Sequence, residues 1–179
     1  MILARKYFYK VCIVGESEVG KTTLLHQYLL RRFISDAERT IGSNFFVKYL
    51  KFPKIKNIIT LQVWDLAGQD HFQWVRHAFY KGAKGIVYVF DLTRNNTFES
   101  IKKWKNEVES KAGILPNVLV GNKIDLINPQ KMNLNKEQFT ELKEALSSCM
   151  FFEASAKEGT NVDEIFYELT KEMIKKFDS

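Results

Sequence analysis

The sequence predicts an α/β domain: a six-stranded, mainly parallel sheet with one antiparallel strand and helices on both faces. Three observations carry this. Six apolar, β-branched and aromatic runs are spread along the 179 residues. Segments with helical periodicity separate most of them, and the first run passes through a glycine-containing turn directly into a helix pattern. Parallel neighbours need crossover connections, and helices supply them.

The strand runs are Tyr7 to Val14, Phe45 to Phe52, Ile58 to Asp65, Gly85 to Asp91, Asn117 to Gly121 and Met150 to Ala154. Helices fit Lys21 to Arg32, a short piece from Phe72 to Tyr80, Phe98 to Ser110, Asn135 to Leu146 and Val162 to Phe177. The last is the clearest, with Val162, Ile165, Phe166, Leu169, Met173 and Phe177 on one stripe and Thr160 or Asn161 placed to cap it. Only the second and third strands lack a helix between them. Their short connection, Pro53 to Asn57, predicts an antiparallel hairpin.

At 45% hydrophobic content the chain can close one well-covered core and has little material for a second, so one domain over 1–179 is expected. Cys12 and Cys149 offer neither metal-ligand spacing nor a disulfide framework, which points to a reducing cytoplasm and to Cys12 as a core residue. Neither a signal segment nor a run of about eighteen apolar residues is found, so a soluble protein is expected. The formal charge of +6 gathers around Arg5, Lys6 and Lys10, Lys48 to Lys56, Lys102 to Lys105 and Lys171 to Lys176. No segment interleaves bases with aromatics in a recognised binding pattern, so these read as solvated faces and nucleic acid is not an expected partner. The end, Lys175 to Ser179, holds no cysteine for prenylation. Membrane contact is expected only through a tail or partner outside this sequence.

Chemistry is concentrated in four segments. Gly15-Glu16-Ser17-Glu18-Val19-Gly20-Lys21-Thr22 has the spacing of a phosphate-binding loop between a strand and a helix. Gly15 and Gly20 permit close backbone approach, Lys21 places a cation on terminal phosphates, and the Thr22 hydroxyl can ligate Mg²⁺, with Thr23 beginning the helix. A glycine turn with a chance lysine is the bland alternative, and the loop alone does not separate ATPases, kinases and GTPases. Asp65, at the end of the third strand run, can hold Mg²⁺, and Gly68 can donate its N–H to the terminal phosphate. Asn122-Lys123-x-Asp125 follows the fifth run; its carboxylate can accept from guanine N1–H and the exocyclic amine, whereas adenine would leave it unpaired. Lys123 can lay its stem on the base, and Asn122 can tie this loop to the phosphate loop. A polar surface turn is the alternative. Ser155-Ala156-Lys157 follows the sixth run, and the Ala156 N–H is placed to meet guanine O6.

In this order, the phosphate loop, Asp65-x-x-Gly68-Gln69, Asn122-Lys123-x-Asp125 and Ser155-Ala156-Lys157 resemble the Ras superfamily of small GTPases over nearly the whole chain. Trp64-Asp65-x-Ala67-Gly68-Gln69 and Thr40-Ile41-Gly42 are most similar to the Rab branch, whose aromatic surface patch would here be Phe45, Trp64 and Phe79, with core packing as the alternative.

The resemblance implies a P-loop G domain that binds GTP or GDP with Mg²⁺, hydrolyses GTP slowly by itself, and signals through switches at about 33–46 and 65–80. It implies that Ser17, Glu18, Val19 and Gly20 contact phosphate, that Thr40 joins Thr22 and Asp65 at the metal, and that Phe33 meets the guanine edge. Gln69 would position water, with Lys21 and Thr40 beside it. A core role for Phe33 and surface roles for His71 and His77 are the plain readings. Effectors, an exchange factor and an activating protein are the implied partners of a monomer that is cytoplasmic or peripheral at endomembranes.

Two departures stand out. Glu18 brings a carboxylate near the phosphates where small residues are common, and Ala37 stands where a tyrosine often covers the nucleotide. They leave open a GTP-binding module without hydrolysis, against which Gln69, Thr40 and Asp65 argue. A small-molecule phosphotransferase would need an acceptor site and lid that the sequence does not supply. No motif position carries an intrinsic arginine finger; Arg39, before Thr40, is the internal candidate.

Overall fold

A computed structural model describes residues 7–33, 40–51, 58–127, 136–146 and 150–178. Its strands are β1 (Tyr7–Val14), β2 (Ser43–Lys51), β3 (Ile58–Leu66), β4 (Gly85–Asp91), β5 (Asn117–Asn122) and β6 (Met150–Ala154). They form one sheet in the order β2-β3-β1-β4-β5-β6. β2 runs antiparallel to β3, with Phe45 opposite Trp64 and Lys51 opposite Ile58, and the other pairs are parallel. The expected hairpin is present; its connection lies outside the described residues, as do Cys149, Ala37 and Arg39.

Around the sheet stand α1 (Lys21–Leu30), α2 (Gln73–Tyr80), α3 (Asn95–Glu99), α4 (Ile101–Ala112), α5 (Lys136–Ala145) and α6 (Val162–Phe177). A 3₁₀ turn, Asp70–Phe72, precedes α2. The predicted helix Phe98 to Ser110 starts earlier and is divided at Ser100, whose Oγ donates back to the Asn96 carbonyl at 2.9 Å. Such back-bonding competes with the regular ladder and loosens the turn. Asn161 does not cap α6 through its side chain: it sits at φ +58, and its Nδ2 donates to Glu153 O at 2.7 Å. Asp163 and Glu164 in the first turn of α6 complement the helix dipole instead.

Side-chain alternation along β1 divides the core into two layers. Val11 and Ile13 pack with Leu24, Tyr28, Phe166 and Leu169 beneath α1 and α6. The Tyr28 and Phe166 rings stack at 4.0 Å. Cys12 and Val14 face the opposite side with Tyr80, Phe90, Trp104 and Leu119. Burial pushes the Cys12 thiol up to about 12, so it behaves as a small apolar core residue. Every residue of β4 is buried, as expected for a central parallel strand covered on both faces. No described helix is long and apolar enough to cross a membrane.

Candidate functional site

The site lies beyond the carboxyl ends of the parallel strands, where the β1–α1, β5 and β6 loops converge. The turn after β1 requires its glycines. Gly15 has φ +147, and a β-carbon there would lie 2.1 Å from the Val89 carbonyl oxygen. At Gly20, φ +94, it would lie 2.3 Å from Asn122 Nδ2. Lys21 curls beneath the turn, donating to Gly15 O at 2.9 Å and Glu16 O at 2.7 Å. Burial lowers its ammonium to about 8, with Asp65 and Glu16 opposing the shift.

Asp65 is fully buried at the end of β3. Its Oδ2 accepts from Thr22 Oγ1 at 2.5 Å, Thr40 Oγ1 at 3.2 Å and Asn44 Nδ2 at 3.4 Å, and the two threonine hydroxyls are 2.9 Å apart. Asp65 Oδ1 is buried without a hydrogen-bond partner. An orphaned carboxylate oxygen beside two hydroxyls is a donor set that fits a hard divalent cation such as Mg²⁺. Among the described residues no group of three or more His, Cys, Asp or Glu forms an all-protein cage.

Gly68 seats the next segment directly against the phosphate loop. A β-carbon there would lie 2.5 Å from Glu16 C and 2.6 Å from Gly15 O and Ser17 N, all backbone atoms that cannot step aside. Gln69 follows, half-buried, with its carbonyl accepting from Arg76 Nη1 at 2.7 Å.

At the other end, Asn122 Nδ2 donates to Val19 O at 2.9 Å while its Oδ1 accepts from the Ala156 N–H at 3.0 Å. The Ala156 N–H thus braces Asn122 in this structure rather than facing the cavity alone. Ser155 Oγ donates to Asp125 Oδ1 at 2.6 Å and itself accepts from the Glu158 N–H at 3.0 Å, which fixes the plane of the Asp125 carboxylate. Lys123, at φ +70, sends its Nζ to Asp91 Oδ2 at 2.7 Å and to Glu18 O at 2.9 Å.

These groups surround a cavity of about 470 Å³, in the range of small-molecule sites. It is lined by Ser17, Glu18, Gly20, Lys21, Thr22, Thr23, Phe33, Thr40, Gly68, Gln69, Asn122, Lys123, Asp125, Ala156 and Lys157, and by Leu126, which the sequence did not suggest. Val19, Asp65 and Ser155 hold it from behind. Phe33 is half exposed at the rim, which argues against a core role.

Outside the cavity, Phe45, Trp64 and Phe79 form a contiguous aromatic row, with ring centroids 4.7 and 5.0 Å apart. Trp64 and Phe79 also pack against the second core layer. Ile41 and Trp74, within the segments expected to switch, are exposed. His71 is exposed and His77 half-buried. Many surface lysines are matched locally, among them Lys102 with Glu141, Lys103 with Asp70 and Lys105 with Glu109.

Two clusters carried no sequence signal. Arg76, fully buried, forms a two-armed ion pair with Glu107 at 2.8 and 2.9 Å, donates to Ala67 O and Gln69 O, and stacks 4.5 Å over Trp104. Asp91 gathers Arg94 and Lys123 behind the phosphate loop.

Comparison with known proteins decides the family. The Ras family model matches residues 10–175. The chain belongs to the Ras family. It is 37% identical over 180 residues to the Ypt/Rab-type GTPase ypt7 of Schizosaccharomyces pombe, covering 98% of this chain and 86% of that protein. The Ras-related protein RABG3b of Arabidopsis thaliana is 37% identical over 96% of this chain and 86% of its own length. The Ras-related protein Rab7 of Pisum sativum is 36% identical over 96% and 84%. This Ras-family chain is a small GTPase of the Rab branch, a GTP-binding switch that hydrolyses GTP. Membership implies effectors, exchange factors and activating proteins as partner classes.

Proposed function

We propose that the 470 Å³ cavity holds GTP or GDP with its base at Asp125 and its phosphates over Gly15 to Thr22. The observation that carries this is the placement of a carboxylate, oriented by Ser155, at one end and a buried ammonium, Lys21, with the orphaned Asp65 oxygen at the other. Asp125 accepts from the two guanine N–H groups; adenine would leave a desolvated carboxylate unpaired. Phe33 covers the base edge, and Lys123 and Lys157 flank it. Ala156 can reach guanine O6 only by sharing its N–H with Asn122.

Thr22, Thr40 and Asp65 would hold Mg²⁺, which supplies charge neutralisation at the β- and γ-phosphates. Lys21 adds a cation there, and the Gly68 N–H donates to the terminal phosphate. Gln69 orients water in line with the γ-phosphorus: its amide oxygen accepts from the water and its NH₂ donates to a phosphoryl oxygen. The water oxygen bonds to phosphorus, the bond to the β–γ bridging oxygen breaks with its electron pair leaving on GDP, and of the two water protons one stays on the attacking oxygen while the other passes to a phosphoryl oxygen, giving H₂PO₄⁻. Loss of that phosphate releases Thr40 and Gly68, and segments 33–46 and 65–80 relax.

While GTP keeps both segments tethered, the aromatic row Phe45, Trp64 and Phe79 serves as the effector-reading patch, and partners let go when the segments relax; the protein acts as a monomer in the cytoplasm or peripherally at endomembranes. Single-turnover hydrolysis tests the catalytic assignment: Gln69→Leu is expected to keep GTP bound while slowing phosphate release at least about a hundredfold. Equal rates in both proteins would remove Gln69 from the mechanism.

A further inference from the structure

Five consecutive carbonyls of the phosphate loop accept from named side chains. Lys21 holds those of Gly15 and Glu16 from within. The next three are held from outside: Ser17 O by Arg94 Nη2 at 3.1 Å, Glu18 O by Lys123 Nζ at 2.9 Å and Val19 O by Asn122 Nδ2 at 2.9 Å. Lys123 and Asn122 belong to the base-recognition motif. Arg94, in the turn between β4 and α3, belongs to no motif.

Asp91 makes Arg94 part of a built device. It is 1% exposed, and its Oδ2 accepts from Arg94 Nε at 3.0 Å and Lys123 Nζ at 2.7 Å. Its Oδ1 accepts from the Thr93 N–H at 2.8 Å and Thr93 Oγ1 at 2.6 Å. One buried carboxylate thus sets two cations side by side on the outer face of the loop. Arg94 also lines, with Glu16, Ser17, Glu18 and Gln69, a cavity of about 440 Å³.

The peptides are trans, so a carbonyl fixed outward turns the following N–H the opposite way. A cation on that carbonyl polarises the peptide and strengthens its N–H as a donor. We propose that Arg94, oriented by Asp91, is a positioning residue that fixes and polarises the Ser17–Glu18 peptide against the nucleotide phosphates and so slows nucleotide release. This rests on the reading of the cavity as a guanine-nucleotide site. It adds a residue outside the recognised motifs to the set that governs the lifetime of the bound state.

The test uses the full chain loaded with a fluorescent GDP analogue in Mg²⁺, comparing Arg94→Ala, Arg94→Gln and Arg94→Lys. Release from Arg94→Ala is expected to be about tenfold faster, a modest figure because the guanidinium is partly solvated. Lys, which keeps the charge, should restore more of the lifetime than Gln, which keeps only a neutral donor. The ³¹P resonance of the β-phosphate in bound GDP should move in Arg94→Ala and return toward its original position in Arg94→Lys, while the unfolding midpoint without nucleotide stays near that of the parent. Release within twofold of the parent, or faster release with an unmoved ³¹P line and a lowered midpoint, overturns the role of Arg94 alone. Failure of the parent chain to retain the GDP analogue overturns the cavity assignment itself and this inference with it.

Discussion

Arg76→Met is the sharpest perturbation of the packing that anchors α2 and the segment leading into it. Arg76 is 0% exposed and Glu107 is 6% exposed, so each charge relies on the other, helped by neutral partners, to replace water. Removing Arg76 leaves Glu107 buried with only the Tyr80 hydroxyl, at 2.7 Å, still donating to its carboxylate among the described residues, and strips Ala67 O and Gln69 O of a shared partner. Breaking a buried pair from one side costs about 3–5 kcal/mol. That is a large share of the roughly 5–15 kcal/mol that holds a domain folded. At about 2–4 °C per kcal/mol for a domain of this size, the midpoint should fall by roughly 6–20 °C. Thermal and urea unfolding, each with GDP held at one concentration, measure it. Arg76→Met combined with Glu107→Leu should cost less than the two single changes added together, because the uncompensated charge has gone. A loss below about 1 kcal/mol for Arg76→Met, with additive double-mutant behaviour, would refute the buried-pair reasoning. Acid provides a second readout. Burial pushes the Glu107 carboxyl up, but the bonds from Arg76 and Tyr80 overcome this and hold it below the usual range. Its contribution is therefore present above the unfolded glutamate pKa, about 4.3, and lost as pH falls through the lower folded value. Arg76→Met should remove that part of the acid dependence.

Other expectations are independent of this pair. Glu18 is exposed at φ +65, a left-handed conformation costing a side chain about 1 kcal/mol, so Glu18→Gly should raise stability by up to that amount. It also removes a carboxylate beside the phosphates, so GDP release should slow more at low salt than at high; identical release at both would discard the electrostatic part. Ser155→Ala frees the Asp125 carboxylate that its hydroxyl orients, and should weaken GDP about tenfold by equilibrium titration while Asp125→Ala weakens it further. Burial lowers the Lys21 ammonium to about 8 in the nucleotide-free protein, and a bound polyphosphate favours its charged form. GDP affinity should therefore be full below pH 8 and fall by up to about tenfold per unit above it, until the complex also loses the proton; a flat profile from pH 7 to 9.5 would contradict the placement of Lys21.

Strands, helices and motif loops were legible because their signals are local. Alternating apolar residues along β1 reach two core layers in any sheet of this kind. Gly15, Gly20 and Gly68 sit where an added atom would strike neighbouring atoms, so composition alone marks those contacts. The site's supports were not legible, since their meaning depends on residues far away in sequence. Arg76 in a short helix reads as a surface charge until Glu107, 31 positions on, closes over it. Arg94 reads as a turn residue until the loop carbonyl of Ser17, 77 positions earlier, meets it. The division between α3 and α4 was missed because one serine hydroxyl bonding back to Asn96 leaves no mark on hydrophobic periodicity. Asn161 looked like a cap by residue type, but its backbone is left-handed at φ +58 and its side chain turns to donate from Nδ2 to Glu153 O instead of capping the helix.

The central claim is that one cavity grips a guanine base at Asp125 and magnesium-neutralised phosphates over Lys21. Acid extraction of nucleotide from protein purified in Mg²⁺, resolved by ion-exchange chromatography for base and phosphate number, tests it most directly. The account predicts GDP or GTP in near-stoichiometric amount, lost when Asp125 is replaced by Ala. Adenine nucleotide in its place, or no nucleotide in the presence of Mg²⁺, would contradict it.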